Sequence, residues 1–291
     1  MSVDVEDYFQ VSAFAGHIPR ADWDAFASRV ERNTDAVLGL FDEHGVCATF
    51  FTLGWVAERF PSLVRRIVEA GHELASHGYE HVRITEQDPE TFREDVRRTK
   101  HLLEDVGGVA VRGYRAASFS LGAETLWAHA VLAGEGYAYS SSVYPVRHDL
   151  YGMPEAPRFA YRPRNGDGIW EIPITSLRLF KRNFPCGGGG YFRLLPYPLS
   201  RWGMRRVNRV DGQPCVFYFH PWEIDPEQPR QRTAPLKSRL RHYTNLDRMA
   251  GKLNTLLGNF AWDRIDRIFL AGRHGDLPAE AAGKDEAPPD V

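Results

Sequence analysis

The residues best suited to chemistry lie in His77-Gly78-Tyr79-Glu80-His81, which holds two imidazoles four positions apart. That spacing puts both on one side of a helical turn or tight loop. Neutral imidazole is the commonest protein ligand for a divalent metal. A run with strand character, residues 71–76, leads straight into the pair. A strand end that hands two imidazoles to one point is how a barrel enzyme builds a metal site. By itself the spacing is weak, since eleven histidines in 291 residues will sometimes fall this way by chance. Its company strengthens it: acids at Asp4 and Glu6, Arg115 and a lone His220 each stand with a run that reads as a strand.

Period-2 alternation over the first strand places Asp4 and Glu6 on one face, with Val3 and Val5 on the other. Two carboxylates facing the same way inside a fold are expensive unless a metal or cation lies between them. Residues 214–223 form a last strong strand that ends on His220, where Pro221 stops it.

The elements that must position these groups alternate. Residues 25–44 read as a helix stopped by Gly45, and 46–53 as an apolar strand buried on both faces. Pro61 opens a helix that Gly71 closes, and Asp88-Pro89 caps another running to about Asp105. Residues 109–119 carry the strand that ends near Arg115, and a further helix covers about 123–133. Such β-α-β-α-β-α order argues for a parallel sheet with helical crossovers. Beyond Tyr137 the pattern loosens, with a long loop at 139–149 and a short strand at 168–174. The glycine run 187–190 lacks the Lys-Ser/Thr of a phosphate loop and no clear strand and helix flank it; a flexible wall of a substrate cleft is the expectation. The composition after Arg273 predicts a disordered tail at 273–291.

Bulk properties bound the function. Hydrophobic content of 43% and charged content of 25% are ordinary for a soluble globular protein. With a net charge of −2 and no basic stripe, nucleic acid is not an expected partner. No run of 18 apolar residues appears, so no membrane span is expected. The start Met1-Ser2-Val3-Asp4 has no basic and apolar leader pattern, and Cys47, Cys186 and Cys215 share no motif spacing. The expected location is therefore the cytoplasm.

In order along the chain, the acids at 4 and 6, His77 and His81, Arg115 and His220 resemble the polysaccharide deacetylases of NodB homology, carbohydrate esterase family 4. His77-Gly78-Tyr79-Glu80-His81 is similar to that family's metal motif, residues 114–119 to its arginine motif and 218–220 to its final histidine motif. Residues 53–59, 189–193, 220–225 and 241–246 resemble the exopolysaccharide deacetylases of PEP-CTERM/exosortase clusters, which carry a C-terminal extension. The chain departs from the usual pattern where Val5 separates the first acids, where Ala117 replaces a proline, and at Ser140, where close relatives tend to carry Asp. Asp7 remains a rival ligand.

The resemblance implies a distorted (β/α) barrel with fewer than eight regular strands, the deacetylase domain at 1–229 and a helical extension at 230–272 packed on it. It implies hydrolysis of N-acetyl groups on amino sugars of an exopolysaccharide or its lipid-linked precursor. Amide hydrolysis needs a water, a base, a cation for the oxyanion and an acid for the leaving amine. His77, His81 and Glu6 are the expected ligands of zinc, or of cobalt or nickel. Asp4 is the expected base, His220 the acid, and Arg115 the partner that holds Asp4 ionised. Glu223 or Asp225 is expected to support His220. Sugar faces stack on rings, so Tyr114, Phe119, Trp170, Tyr191, Phe192 and Trp222 are candidates for the cleft. Two alternatives stand beside this one: an amidohydrolase of a small cyclic amide, and a catalytically inactive carbohydrate-binding subunit.

Overall fold

The computed structural model describes residues 1–149 and 151–270; the tail expected at 273–291 lies outside them. Within them the alternation runs β1 (Ser2–Val5), α1 (Val30–Glu43), β2 (Thr49–Thr52), α2 (Gly54–Arg59), α3 (Pro61–Glu69), β3 (Glu73–Ser76), α4 (Pro89–Gly107), β4 (Gly113–Tyr114), α5 (Ala128–Gly134), β5 (Tyr139–Ser140) and β6 (Trp170–Glu171). A hairpin follows, β7 (Ser176–Leu179) and β8 (Arg182–Pro185), then α6 (Gly189–Leu194), α7 (Tyr197–Arg206) and β9 (Tyr218–Phe219). The chain closes with α8 (Leu236–Tyr243), α9 (Leu246–Leu257) and α10 (Ile265–Phe269). Among the described residues no helix is long and apolar enough to cross a membrane.

Seven strands form one parallel sheet in the order β6-β5-β4-β3-β2-β1-β9, the curled sheet of a distorted (β/α) barrel. Closure is irregular. Thr175 N–H donates to the Val216 carbonyl (3.3 Å), and Tyr218 N–H to that of Gly187 (2.8 Å). This is why the strand expected over 214–223 is regular only at Tyr218–Phe219.

Local chemistry sets the helix starts. Asp88 accepts from the N–H groups of Glu90 (3.0 Å) and Thr91 (2.9 Å), capping α4, and Pro61 opens α3. α1 is capped from a distance, because Asp7 Oδ2 accepts from Arg29 N (2.7 Å), Val30 N (3.1 Å) and Ser28 Oγ (2.6 Å). Strand alternation then divides the core. Phe50 faces outward into a cluster with α1, α2, α3 and α9, whereas Phe51 faces into the barrel with Ala75, Tyr139, Ile174 and Tyr218. A third cluster lies under α4 and α5. The C-terminal segment shares these cores: Leu246, Met249, Leu253 and Leu256 of α9 belong to the outward cluster. Residues 263–269 sit at the N-terminal ends of the strands, where Ile265 N–H donates to Thr49 Oγ1 (2.8 Å) and Asp266 N–H to Glu73 Oε2 (3.2 Å).

Candidate active site

The strands deliver their chemistry at one end. β1 leads to Glu6, β3 to His77, β4 to Arg115 and β9 to His220, each at or just past the C-terminal end of a parallel strand, where α/β barrels place their sites. The turn after β3 is tightly specified. Gly78 has φ +75°, and Asp95 accepts from Tyr79 N–H at 3.0 Å. His81 itself takes φ +54°, a left-handed backbone uncommon for a residue with a side chain.

Glu6, His77 and His81 each offer a ligand atom, and the three lie within 4.8 Å of one another. His77 Nδ1 donates to the Arg115 carbonyl at 2.8 Å, which leaves its other ring nitrogen as the lone-pair atom. Glu6 Oε2 lies 3.0 Å from His81 Nε2, yet this buried oxygen has no hydrogen-bond donor. Burial pushes the Glu6 carboxyl up to about 7, against the pull of His220. Burial likewise pushes His77 down and His81 well below its ordinary value, the latter helped by His77. Neutral imidazoles facing an unsatisfied buried carboxylate oxygen are a donor set that fits a divalent cation such as zinc.

Asp4 lies beside them. Arg115, fully buried, gives it Nη1 at 2.5 Å and gives Ser2 Oγ the same nitrogen at 2.9 Å. Arg115 Nε reaches the Ser141 carbonyl (3.0 Å) and Nη2 the Ser141 hydroxyl (3.0 Å), while the guanidinium lies 4.0 Å from the Phe51 ring centroid. A planar fork held at all three nitrogens has one orientation. Ser140, where relatives tend to carry Asp, donates to Ser142 Oγ (2.8 Å).

His220 Nε2 faces Glu6 Oε1 (3.5 Å) and Asp4 Oδ2 (3.9 Å). Its side chain keeps 20% exposure where the two acids keep 3% or less, so it is the group of this set that solvent reaches. Its Nδ1 donates to Glu223 Oε1 at 2.9 Å, and Glu223 Oε2 accepts from Arg193 Nε at 2.7 Å. Arg193 also donates to the carbonyls of Arg241 (3.0 Å), His242 (3.0 Å) and Thr244 (2.6 Å), tying the C-terminal segment to the site. Burial opposes charge on His220, but Glu6, Glu223 and Asp4 together raise it to about 9. Burial opposes charge on Glu223 too, and Arg193 and His220 hold it down to about 2. Of the two candidate supporters it is Glu223 that reaches His220; Asp225 pairs instead with Arg29 (2.6 Å) and Arg32 (3.3 Å).

Several expectations are corrected. Asp7 is no ligand, because its carboxylate is spent on α1. Tyr114 points away from Arg115 into the core under α4, against Phe92 and Tyr137. Trp170 pairs in register with Tyr139, whose hydroxyl reaches Glu73 at the opposite end of the sheet, and carries Arg162 over its ring at 4.4 Å. Phe192 is buried against Phe217. Phe119 is buried against Tyr218 with its ring 5.8 Å from the Arg115 guanidinium, and Tyr191 lies half-buried beside His148. Trp222 is at the site in another role: its Nε1 donates to Glu6 Oε1 (3.3 Å), and it is stacked between His220 (5.1 Å) and His242 (4.1 Å). The glycine run does join a strand, β8, to a helix, α6, and residues 187–189 are buried. A Cβ on Gly189 would lie 2.3 Å from Glu223 Oε1, so glycine is needed for close approach rather than flexibility.

The sequence reading missed Ser2, Ser141 and Arg193. The His220-x-x-Glu223 spacing was its one local signal, since a 3₁₀ turn over Pro221–Ile224 folds the carboxylate back onto the ring. Beside His81 a cleft of about 430 Å³ opens, lined by Phe9, Gln10, Ser12, Arg20, Trp23 and Arg83 among others. Gln10 Oε1 accepts from Asp7 N–H (2.8 Å), while its buried Nε2 has no partner and is available to a ligand.

Residues 23–134 match the family model "Polysaccharide deacetylase", and residues 141–270 match one described as a domain of unknown function, DUF3473. The first match contains His77, His81 and Arg115, the second His220, and Asp4 and Glu6 precede both. A peptidoglycan-N-acetylglucosamine deacetylase of Bacillus cereus is 34% identical over 82 residues, 28% of this chain and 30% of that protein. A chitooligosaccharide deacetylase of Rhizobium leguminosarum bv. trifolii is 36% identical over 70 residues, 24% of this chain and 33% of that protein. The chain thus aligns with about a third of the length of these relatives. The crystal structure of a polysaccharide deacetylase-like protein from Mycobacterium smegmatis superposes with a TM-score of 0.58 at 21% identity, covering 90% of this chain and 84% of that one, a likeness of fold. The likeness to polysaccharide deacetylases in the family model spans residues 23–134, less than half of the 291-residue chain.

Proposed function

We propose that this chain, carrying a deacetylase-type segment on a distorted (β/α) barrel, is a metal-dependent hydrolase that removes N-acetyl groups from amino sugars of a glycan. The observation that carries the reading is the convergence of Glu6, His77 and His81 on one point, with an unsatisfied carboxylate oxygen among them and Asp4 and His220 flanking it. Glu6, His77 and His81 would hold the ion; when bound, it supplies Lewis acidity to the acetyl carbonyl and lowers the pKa of a water.

The chain's own groups do the rest. Asp4, fixed by Arg115, presents Oδ2 as the base for the attacking water's proton. His220, protonated and held at Nδ1 by Glu223, presents Nε2–H to the departing amine. Arg115 does not face the reacting atoms; it pairs with the Asp4 carboxylate and aims it. Gln10, Arg20 and Arg83 line the cleft beside His81 and suit the hydroxyl and carbonyl groups of a sugar, with Trp23 as a ring wall. An exopolysaccharide or its lipid-linked precursor as the glycan rests on the motif resemblance in residues 189–193, 220–225 and 241–246.

The test is acetate release from N-acetylglucosamine oligomers with zinc added, beside a chelated control. Release that needs the metal supports the reading. Equal release in both arms, or none from any oligomer while a small cyclic amide is opened, would replace it.

A further inference from the structure

We propose that the outward face built by α7 and the β7–β8 hairpin docks on an anionic lipid bilayer. The inference is independent of the deacetylase reading. Between residues 176 and 211 the chain carries eight cationic side chains and a single acid, Asp211, although its net charge is −2. Asp211 is paired with Arg158 at 3.0 Å, and Arg193 is buried against Glu223. The remaining cations, Arg178, Lys181, Arg182, Arg201, Arg205, Arg206 and Arg209, make no ion pair among the described residues. A chain expected to have no basic stripe therefore carries one within residues 176–211.

α7 and the turn after it are two-faced. Ser200, Gly203, Met204 and Val207 are buried, with Gly203 packed on Leu177 of β7 and on Cys186. The opposite stripe, Arg201, Trp202, Arg205, Arg206, Arg209 and Val210, lines an open groove of about 400 Å³. Its apolar members are not covered: Trp202 is 46% and Val210 63% exposed. The hairpin packs beside α7, through Leu177 against Gly203. Phe180 is 95% exposed at its tip, beside Lys181 and Arg182, and Phe180 and Lys181 both take positive φ, which turns the tip tightly outward.

Two kinds of occupant suit so many unpaired cations, a nucleic acid duplex and an anionic bilayer. The apolar residues decide between them. A duplex presents phosphates that reward arginine, whereas Phe180, Trp202 and Val210 gain only where the surface can be entered. Arginine interleaved with tryptophan and phenylalanine is the composition of an interfacial helix, charge drawing it to the headgroups and rings seating below them.

The experiment is co-sedimentation of the full chain with vesicles of phosphatidylcholine alone or mixed with phosphatidylglycerol. Binding is expected to the mixed vesicles only, and to fall sharply from about 0.1 M to about 1 M salt as the screening length drops from about 10 to about 3 Å. R205E/R206E should weaken it by at least roughly 25-fold, from about a factor of five for each neutralised cation. F180S/W202S should weaken it with all cations retained, and melting should be unchanged in both variants, because Phe180, Trp202 and Arg206 are exposed and Arg205 is partly so. Equal binding to neutral vesicles, full binding by F180S/W202S, or tighter binding to a DNA duplex that ignores F180S/W202S would overturn the proposal.

Discussion

Three acids within four residues, Asp4, Glu6 and Asp7, have separable roles, and two readouts on one preparation distinguish them. Asp7→Ala removes the acceptor of Ser28 Oγ, Arg29 N–H and Val30 N–H, as well as of Tyr8 N–H at 2.9 Å. A lost helix cap costs about 0.5–2 kcal/mol. Here the freed donors are buried or partly buried, and each one left unsatisfied costs a further ~1–3 kcal/mol before water and local relaxation recover part of it. A loss of about 3–4 kcal/mol follows, which at ~2–4 °C per kcal/mol for a domain near this size lowers the apparent Tm by roughly 6–16 °C. Asp7→Asn keeps an acceptor and should lose about half as much. Metal content should be unchanged in both, because no Asp7 oxygen is free. Glu6→Ala should do the reverse, losing metal while melting close to the metal-free wild type, since Glu6 is buried at a desolvation cost that its removal relieves. Asp4→Asn should keep metal and lose turnover. The assay is zinc content by mass spectrometry beside calorimetric melting. Folded Asp7→Ala that no longer holds zinc, or Glu6→Ala that still holds it stoichiometrically, would refute the assignment.

His220→Ala should lower turnover by about 10²–10⁴, the usual share of a general acid, with metal content retained; lost metal would make His220 a ligand. Gly189→Ala should push Glu223 off His220, because its Cβ would lie 2.3–2.7 Å from the carboxylate atoms; kcat should drop with metal retained, and unchanged kcat would remove Glu223 from the positioning of His220. His72 is held down to about 4 by burial, and its Nδ1 accepts from Ala48 N–H at 3.1 Å. Above an unfolded value near 6.5 neither state is protonated; between 6.5 and 4 only the unfolded state takes the proton, so stability is lost as pH falls through that window. The advantage of wild type over His72→Leu in urea unfolding should therefore shrink by up to about 3 kcal/mol from pH 7 to pH 4, and a constant difference would contradict it.

Much of the architecture is carried by local pattern. Strand alternation and helix punctuation over residues 1–134 suffice for a parallel βα series, and that series puts Glu6, His77 and Arg115 at strand ends because a parallel sheet aligns all its C-termini. Period-2 geometry separates Asp4 and Glu6 from Val5 without any knowledge of the partner strands. The same arithmetic, applied to Tyr114, places it opposite Arg115 and so inside the core. What no local pattern holds is who meets whom across the chain. The pairing of Arg115 with Asp4 spans 111 residues, and the pairing of Arg193 with Glu223 and with carbonyls of 241–244 reaches across 30 to 51. Asp7 looks like a third ligand in sequence, yet only the arrival of α1's N-terminus 22 residues later decides that it is a cap. The closing of the barrel by 172–175 and 187–188 and the need for glycine at 189 are of the same kind. A side chain's type limits the bonds it can make, but its partner is chosen by the fold that brings a complementary group within three ångströms and removes the water between them.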